Sequence, residues 1–276
     1  MWSKLGIRVA SAAVGIVLVL LLIFSNQLVF NIAMCTVSFI AIYELYTTFS
    51  QSKKWPLLLL YYGFAAIVLG TLFIKPILFE TANFSIIIVL YLMLLCLCAV
   101  IFNDTITMND VLIAFFIPIY SVVFICHLSL IRGMENGIVL IFVPLLCAWM
   151  TDTFAYFGGI ALGKHKLIPK ISPKKTVEGA ISGIVGCILS SLVFAWIISF
   201  LGYSTNIGLL CILSLCCSVL SQFGDLTASL IKRSTGVKDF GNLIPGHGGI
   251  LDRIDSLIFI TPLCYYFLKF FEVIYK

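Results

Sequence analysis

Residues 229–255 read S-L-I-K-R-S-T-G-V-K-D-F-G-N-L-I-P-G-H-G-G-I-L-D-R-I-D. They hold four cations (Lys232, Arg233, Lys238, Arg253), three carboxylates (Asp239, Asp252, Asp255), His247 and five glycines. Asp225 lies just upstream, and the loop I-S-P-K-K-T-V-E-G at 171–179 adds Ser172, Lys174 and Lys175. Carboxylates with few nearby His or Cys offer hard oxygen ligands, so Mg²⁺ suits them better than zinc. Glycines 241, 246, 248 and 249 leave backbone N–H groups able to face anionic oxygens. Lys and Arg supply fixed positive charge, and Arg can grip a phosphate with two parallel bonds. Together these parts describe phosphoryl or nucleotidyl transfer.

The rest of the chain is apolar. Of 276 residues, 62% are hydrophobic and 11% charged, and the mean hydropathy is +1.16. That composition excludes a water-soluble domain and predicts an all-α polytopic membrane protein. A bilayer core of about 30 Å needs roughly 20 apolar residues per helical crossing. Charge-free residues 9–43 hold two crossings broken at Ser25-Asn26-Gln27, and runs at 55–74, 84–103, 111–130, 137–163, 177–200, 206–231 and 253–271 make about nine. The basic start M-W-S-K-L-G-I-R is read as the approach to a first membrane helix, since no small-residue cleavage site leads into a soluble domain and more apolar runs follow. With the N-terminus in the cytoplasm, thirteen Lys and Arg fall inside, among them Lys4, Arg8, Lys53 and Lys54. Four fall outside, namely Lys75, Arg132, Lys269 and Lys276. That asymmetry supports an odd number of crossings. The net charge of +5 sits in short loops, which points to orientation and head-group contact, not nucleic acid. Ten cysteines all lie inside apolar runs, where Cys packs as a small hydrophobe.

Depth along the helices converges. Asp152 stands about 22 Å along the helix that begins at Gly137, and Asp225 about 28 Å along the one that begins at Asn206. Both reach the inner leaflet, where Asp252 and Asp255 open the last helix. Intramembrane carboxylates default to a functional reading. Ser214, Ser218, Gln222, Asp225, Ser229 and Lys232 form one polar stripe, which predicts a wet cavity or a polar neighbour. Gly179, Gly183, Gly186 and Ser190 form a small-residue face for close helix packing, and Thr176 is the expected N-cap before them. Glu44 and His127, alone near helix ends, are read as interfacial or hydrogen-bonded residues. The organisation is a hydrophobic N-terminal part, 1–135, and a catalytic part, 136–276, with cytoplasmic loops 164–176 and 232–252.

The pattern S-x-I-K-R-x4-K-D-x-G-x2-I-P-x-H-G-G-I-x-D-R-I-D at 229–255 resembles the signature of the phosphatidate cytidylyltransferases (CDP-diacylglycerol synthases). The stretch D-T-F-A-Y-F-G-G…G-K-H-K-L-I-P-K-I-S-P-K-K-T-V-E-G at 152–179 is similar to that family too, with Phe154 where Gly is more usual. The likeness runs from about 145 onward. It implies an enzyme of phospholipid biosynthesis that converts CTP and phosphatidic acid to CDP-diacylglycerol and pyrophosphate by metal-assisted in-line attack. It implies Mg²⁺, with K⁺ also implicated, a homodimer among membrane lipids, and an active site facing the cytoplasm from a bacterial inner (plasma) membrane. Carried onto this chain, Asp225 and Asp252 are the metal ligands, and Lys232, Arg233, Lys238 and His247 handle phosphates. Asp239, Asp255, Gly248, Gly249 and Arg253 support them, while Ser172, Lys174 and Lys175 close the site. The alternatives are another membrane CTP- or CDP-lipid transferase and a transporter with an acidic ion path. A CDP-alcohol phosphotransferase would carry D-G…A-R…G-x3-D-x3-D, which is absent, and a transporter would spread its acids across the bilayer.

Overall fold

The computed structural model describes residues 4–49, 54–74 and 82–276. Lys53 and Lys75, counted above for orientation, lie outside them, as do the side chains of Lys4 and Arg8. The chain packs as two compact units, the first of Met1–Leu130 with Val237–Arg253 and the second of Ile131–Gly236 with Ile254–Lys276.

The all-α membrane reading holds. Among the described residues seven helices are long and apolar enough to cross a bilayer, and Val9–Phe24 is a shorter apolar one. In the first unit, α1 (Lys4–Phe24) stops at the expected break and α2 (Gln27–Thr48) restarts with Asn26 as its N-cap, whose side chain accepts the Val29 N–H at 2.9 Å. Then come α3 (Trp55–Ile74), α4 (Ala82–Ile101) and α5 (Met108–Pro118). The run 111–130 is not one regular helix. A π-helical turn, Ile119–Val123, follows Pro118 before α6 (Phe124–Arg132). Proline lacks the N–H for the i−4 bond and its ring crowds that carbonyl, so the helix widens there.

Polar side chains tie this unit together inside its apolar shell. Gln27 donates to Asn31 and to the Ser129 carbonyl at 2.9 and 3.0 Å, and Asn31 donates to the Leu72 carbonyl at 3.3 Å. Lys54 pairs with Asp110, a buried acid that also accepts the Thr107 N–H at 2.8 Å at the start of α5. Hydrogen bonds of this kind hold membrane helices where apolar attraction between helices is lost to lipid. Outward faces stay greasy: Val89, Leu92 and Val100 on α4 are all exposed.

The second unit begins with the short α7 (Gly137–Leu140) and α8 (Phe142–Leu162). The run 137–163 is broken near Pro144, which cannot bond the Leu140 carbonyl. The loop 164–176 folds as a small antiparallel hairpin, β1 (Lys166–Ile168) with β2 (Ser172–Thr176), followed by α9 (Val177–Ser199), β3 (Ser204–Thr205) and α10 (Ile207–Ser234). After α11 (Leu251–Phe270), which runs on from the first unit, β4 (Ile274–Tyr275) pairs with β3.

Helices α8 and α9 meet along the small-residue face. A methyl group placed on Gly183 would lie 2.9 Å from the Thr151 carbonyl oxygen and 3.1 Å from the Ala155 Cβ, and one on Gly179 would lie 2.7 Å from the Ala155 oxygen. Overpacking at such a contact costs about 1–3 kcal/mol. Gly183→Val is therefore expected to lower the unfolding temperature of the detergent-solubilised protein; an unchanged melting curve would mean the helices can part without penalty.

Candidate active site

The motif residues gather at two cavities, one in each unit. In the first, a cavity of about 590 Å³ is lined by Lys238, Asp239, Asn242, Gly246, His247, Gly248 and Arg253, together with Ile244 and Pro245. The turn beneath it closes on itself: the Ile244 N–H bonds the Gly248 carbonyl at 2.8 Å and the His247 N–H bonds the Ile244 carbonyl at 2.9 Å. Gly246 and Gly248 carry φ of 76° and 83°, a region that side chains disfavour. His247 is fixed from far away, since its Nδ1 and Ser11 Oγ on α1 share a hydrogen bond of 2.8 Å.

Two buried carboxylates hold the backbone of this turn. Asp252 Oδ2 accepts the Phe240 and Gly249 N–H groups at 2.8 and 3.0 Å. Glu44, near the end of α2, accepts the Ile250 N–H on Oε1 and the Leu251 N–H on Oε2, both at 2.9 Å. The sequence expectation was that the glycine amides would face a ligand's oxygens. The Gly249 amide is instead taken by Asp252. The glycine serves close approach, because a methyl group there would lie 2.5 Å from Glu44 Oε1.

In the second unit, a cavity of about 470 Å³ is lined by Asp152, Tyr156, Lys174, Lys175, Gln222 and Asp225, with Gly159 and Gly179 at its walls. Lys175 Nζ lies 2.5 Å from Asp225 Oδ2. The charges of Asp152, Asp225 and Asp255 bear on one another, Asp152 is hydrogen-bonded to the Ser256 side chain, and Lys232 attracts Asp255. The polar stripe of α10 divides. Its upper part is dry, with Ser214 bonded to Ser191 at 2.7 Å and Ser218 to Thr151 at 2.9 Å. Only the Gln222–Asp225 end reaches the cavity, and Gln222 donates to the Ala180 carbonyl at 3.2 Å. Thr176 is the N-cap of α9, as expected, accepting the Gly179 N–H at 3.1 Å. Glu178 pins the hairpin: its carboxylate accepts the Lys164 and His165 N–H groups and meets His165 Nδ1 at 2.6 Å.

The structure thus gathers Lys238, Asp239, His247, Gly248 and Arg253 around one cavity, with Asp252 and Gly249 in the backbone frame behind it. It gathers Lys174, Lys175 and Asp225 around the other. Ser172 stands on β2 and Arg233 is exposed in the last turn of α10; neither lines a cavity described above. Asp225 belongs to the second unit and Asp252 to the first. Among the described residues no three His, Cys, Asp or Glu are gathered as a metal cage. Mg²⁺ does not require one, since it keeps several waters and takes one or two carboxylates plus substrate phosphates.

A family model described as "Cytidylyltransferase family" matches residues 6–271. The chain belongs to that family. It is an enzyme, a nucleotidyltransferase embedded in the membrane. Phosphatidate cytidylyltransferase of Bacillus subtilis (strain 168) is 35% identical over 272 residues, covering 96% of this chain and 98% of its own length. The protein of the same name from Staphylococcus haemolyticus is 45% identical over 129 residues, 47% of this chain and 48% of its own. That of Staphylococcus saprophyticus subsp. saprophyticus is 42% identical over 150 residues, 54% of this chain and 56% of its own. Glu44 and Ser11, which hold the turn beneath the first unit's cavity, are residues that the sequence left unassigned. Their partners lie more than 200 positions away, and no local spacing connects them.

Proposed function

We propose that the enzyme transfers the cytidylyl group of CTP to phosphatidate, giving CDP-diacylglycerol and pyrophosphate for phospholipid synthesis. It works as a dimer at the cytoplasmic face of a bacterial plasma membrane. The observation that carries this reading is the polar cavity of the first unit. Its volume, about 590 Å³, lies within the range of small-ligand sites, and Lys238, His247 and Arg253 line it together with Gly246 and Gly248. The near full-length relation to a phosphatidate cytidylyltransferase supports the choice of substrates.

An oxygen of the lipid phosphate attacks the α-phosphorus of CTP, and the bond to the β-phosphate breaks with its electron pair leaving on pyrophosphate. The attacking oxygen is already anionic, so no strong base is needed. The barrier is repulsion between two polyanions, about 4 kcal/mol per pair of unit charges at 4 Å and an effective dielectric of 20. Lys238 and Arg253 in the first unit's cavity offset charge on a phosphate bound there, and Lys174 and Lys175 do the same in the second unit's cavity. Asp225 and Asp252 are the residues proposed to hold Mg²⁺. The mutual repulsion of Asp152, Asp225 and Asp255 favours a divalent cation beside Asp225, in the second unit. When bound, Mg²⁺ would neutralise phosphate charge that the lysines and arginine leave uncovered.

The test is pyrophosphate release by the purified protein in detergent micelles. Release is expected only when CTP, phosphatidate and Mg²⁺ are all present. A protein that retains its fold but releases nothing with that mixture would remove the proposal.

A further inference from the structure

Glu44 belongs to a helix that the motifs at 152–179 and 229–255 do not touch, yet it is only 4% exposed and both of its oxygens are occupied. The two N–H groups it accepts belong to Ile250, just before α11, and Leu251, its first residue, where the start of any helix has donors with no partner inside the helix. A negative group is favoured at that end by the aligned peptide dipoles. Its bonds reach across 206 and 207 residues of sequence, so they join the end of α2 to the turn that carries the cavity.

The packing shows that this contact is fitted on several sides. A methyl group on Gly241 would lie 2.7 Å from Glu44 Oε1, and one on Gly249 would lie 2.5 Å from it. Both glycines are therefore shaped around the carboxylate. Asp252 holds the Phe240 and Gly249 amides, so the two acids together bond four N–H groups, one at residue 240 and three at 249–251. Between those ends lie Asn242, Ile244, Pro245, Gly246, His247 and Gly248, all lining the cavity, with Lys238 and Arg253 just outside.

We infer that Glu44 is a positioning residue: it clamps the start of α11 and thereby sets the shape of the cavity that receives the phosphates of one substrate. This rests on the reading under Proposed function, but it makes a separate demand. Glu44 touches no reacting atom in this scheme, so its removal should loosen binding of the substrate that uses this cavity and leave the other substrate's binding alone.

The test uses the full chain in detergent with Glu44→Gln, which keeps the shape but removes the charge and one acceptor oxygen. The expected kinetic result is a KM raised by about tenfold or more for one of CTP and phosphatidate, with the other KM within about twofold. A clamp that merely stabilised the fold would reduce the amount of active enzyme, lowering the apparent kcat with both KM values unchanged; that result overturns the inference. Hydrogen–deuterium exchange supplies a readout that needs no substrate. The Ile250 and Leu251 amides should exchange slowly in the unsubstituted protein and faster in Glu44→Gln, while α10 is unaffected. Equal exchange in the two proteins also overturns it. If the unsubstituted enzyme releases no pyrophosphate, the reaction assignment fails and exchange alone decides the clamp. Should Glu44→Gln not fold, Gly249→Ala presses on the same carboxylate from the loop side. It is expected to raise the same single KM, and unchanged KM values for both substrates would refute the clamp.

Discussion

Asp252→Asn is expected to leave the protein folded and to reduce pyrophosphate release by about a hundredfold to a thousandfold, the scale seen when one preorganised electrostatic group is removed. Asn presents a carboxamide oxygen in place of Oδ2, so the Phe240 and Gly249 N–H groups keep an acceptor and the turn keeps its frame. What is lost is the negative charge, in a residue only 8% exposed. Asp252→Ala removes the acceptor as well and strands two amides, which costs about 1–3 kcal/mol for each buried group left unpaired. The pair of variants separates two duties of one side chain. Turnover should fall in both, whereas the melting temperature should fall clearly only in Ala. Near-normal turnover in Asn, with unaltered dependence on Mg²⁺, would reduce Asp252 to a brace for the loop and end its assignment as a metal ligand.

How much of this was readable from residues alone depends on the range of the interaction. Helices of a membrane protein declare themselves because each needs a long apolar run, and the break at 25–27, the N-cap at Thr176 and the glycine face of α9 are all local patterns. Departures came where one residue overrides its neighbours. Pro118 inserts a π-helical turn into a run that reads as a single helix, and Pro144 stands in the first turn of α8, just past the break at Ile141. The strands of the loop 164–176 are too short to show alternation, so the hairpin had no signature. The site divides in the same way. The residues of 229–255 stand out by composition, but the partner that shapes their turn is a glutamate on α2 that looks like any acid near a helix end. Its role follows from two hydrogen bonds that span most of the chain, and such pairings leave no trace in spacing.

Asp225 carries the other large expected effect, and here the structure sharpens the question the sequence left open. Its Oδ2 lies 2.5 Å from Lys175 Nζ, with the two side chains 32% and 25% exposed. Both side chains are partly exposed at the wall of a cavity, where an ion pair contributes about 1 kcal/mol to stability, so Asp225→Asn should melt within a few degrees of the parent. Its turnover should fall by about a hundredfold or more if the carboxylate serves the reaction. Lys175→Met discriminates between the two duties the acid could have. The ammonium group competes with a divalent cation for the same oxygen. Removing it should therefore lower the Mg²⁺ concentration for half-maximal rate while raising the KM of a phosphate-bearing substrate. Asp225→Asn should move that Mg²⁺ concentration the other way, upward by about tenfold, the equivalent of about 1.4 kcal/mol of lost attraction. Opposite shifts would mark Asp225 as a cation ligand and Lys175 as a phosphate contact. Equal losses in both variants, with Mg²⁺ dependence unchanged, would instead mean that the acid does no more than hold the lysine in place.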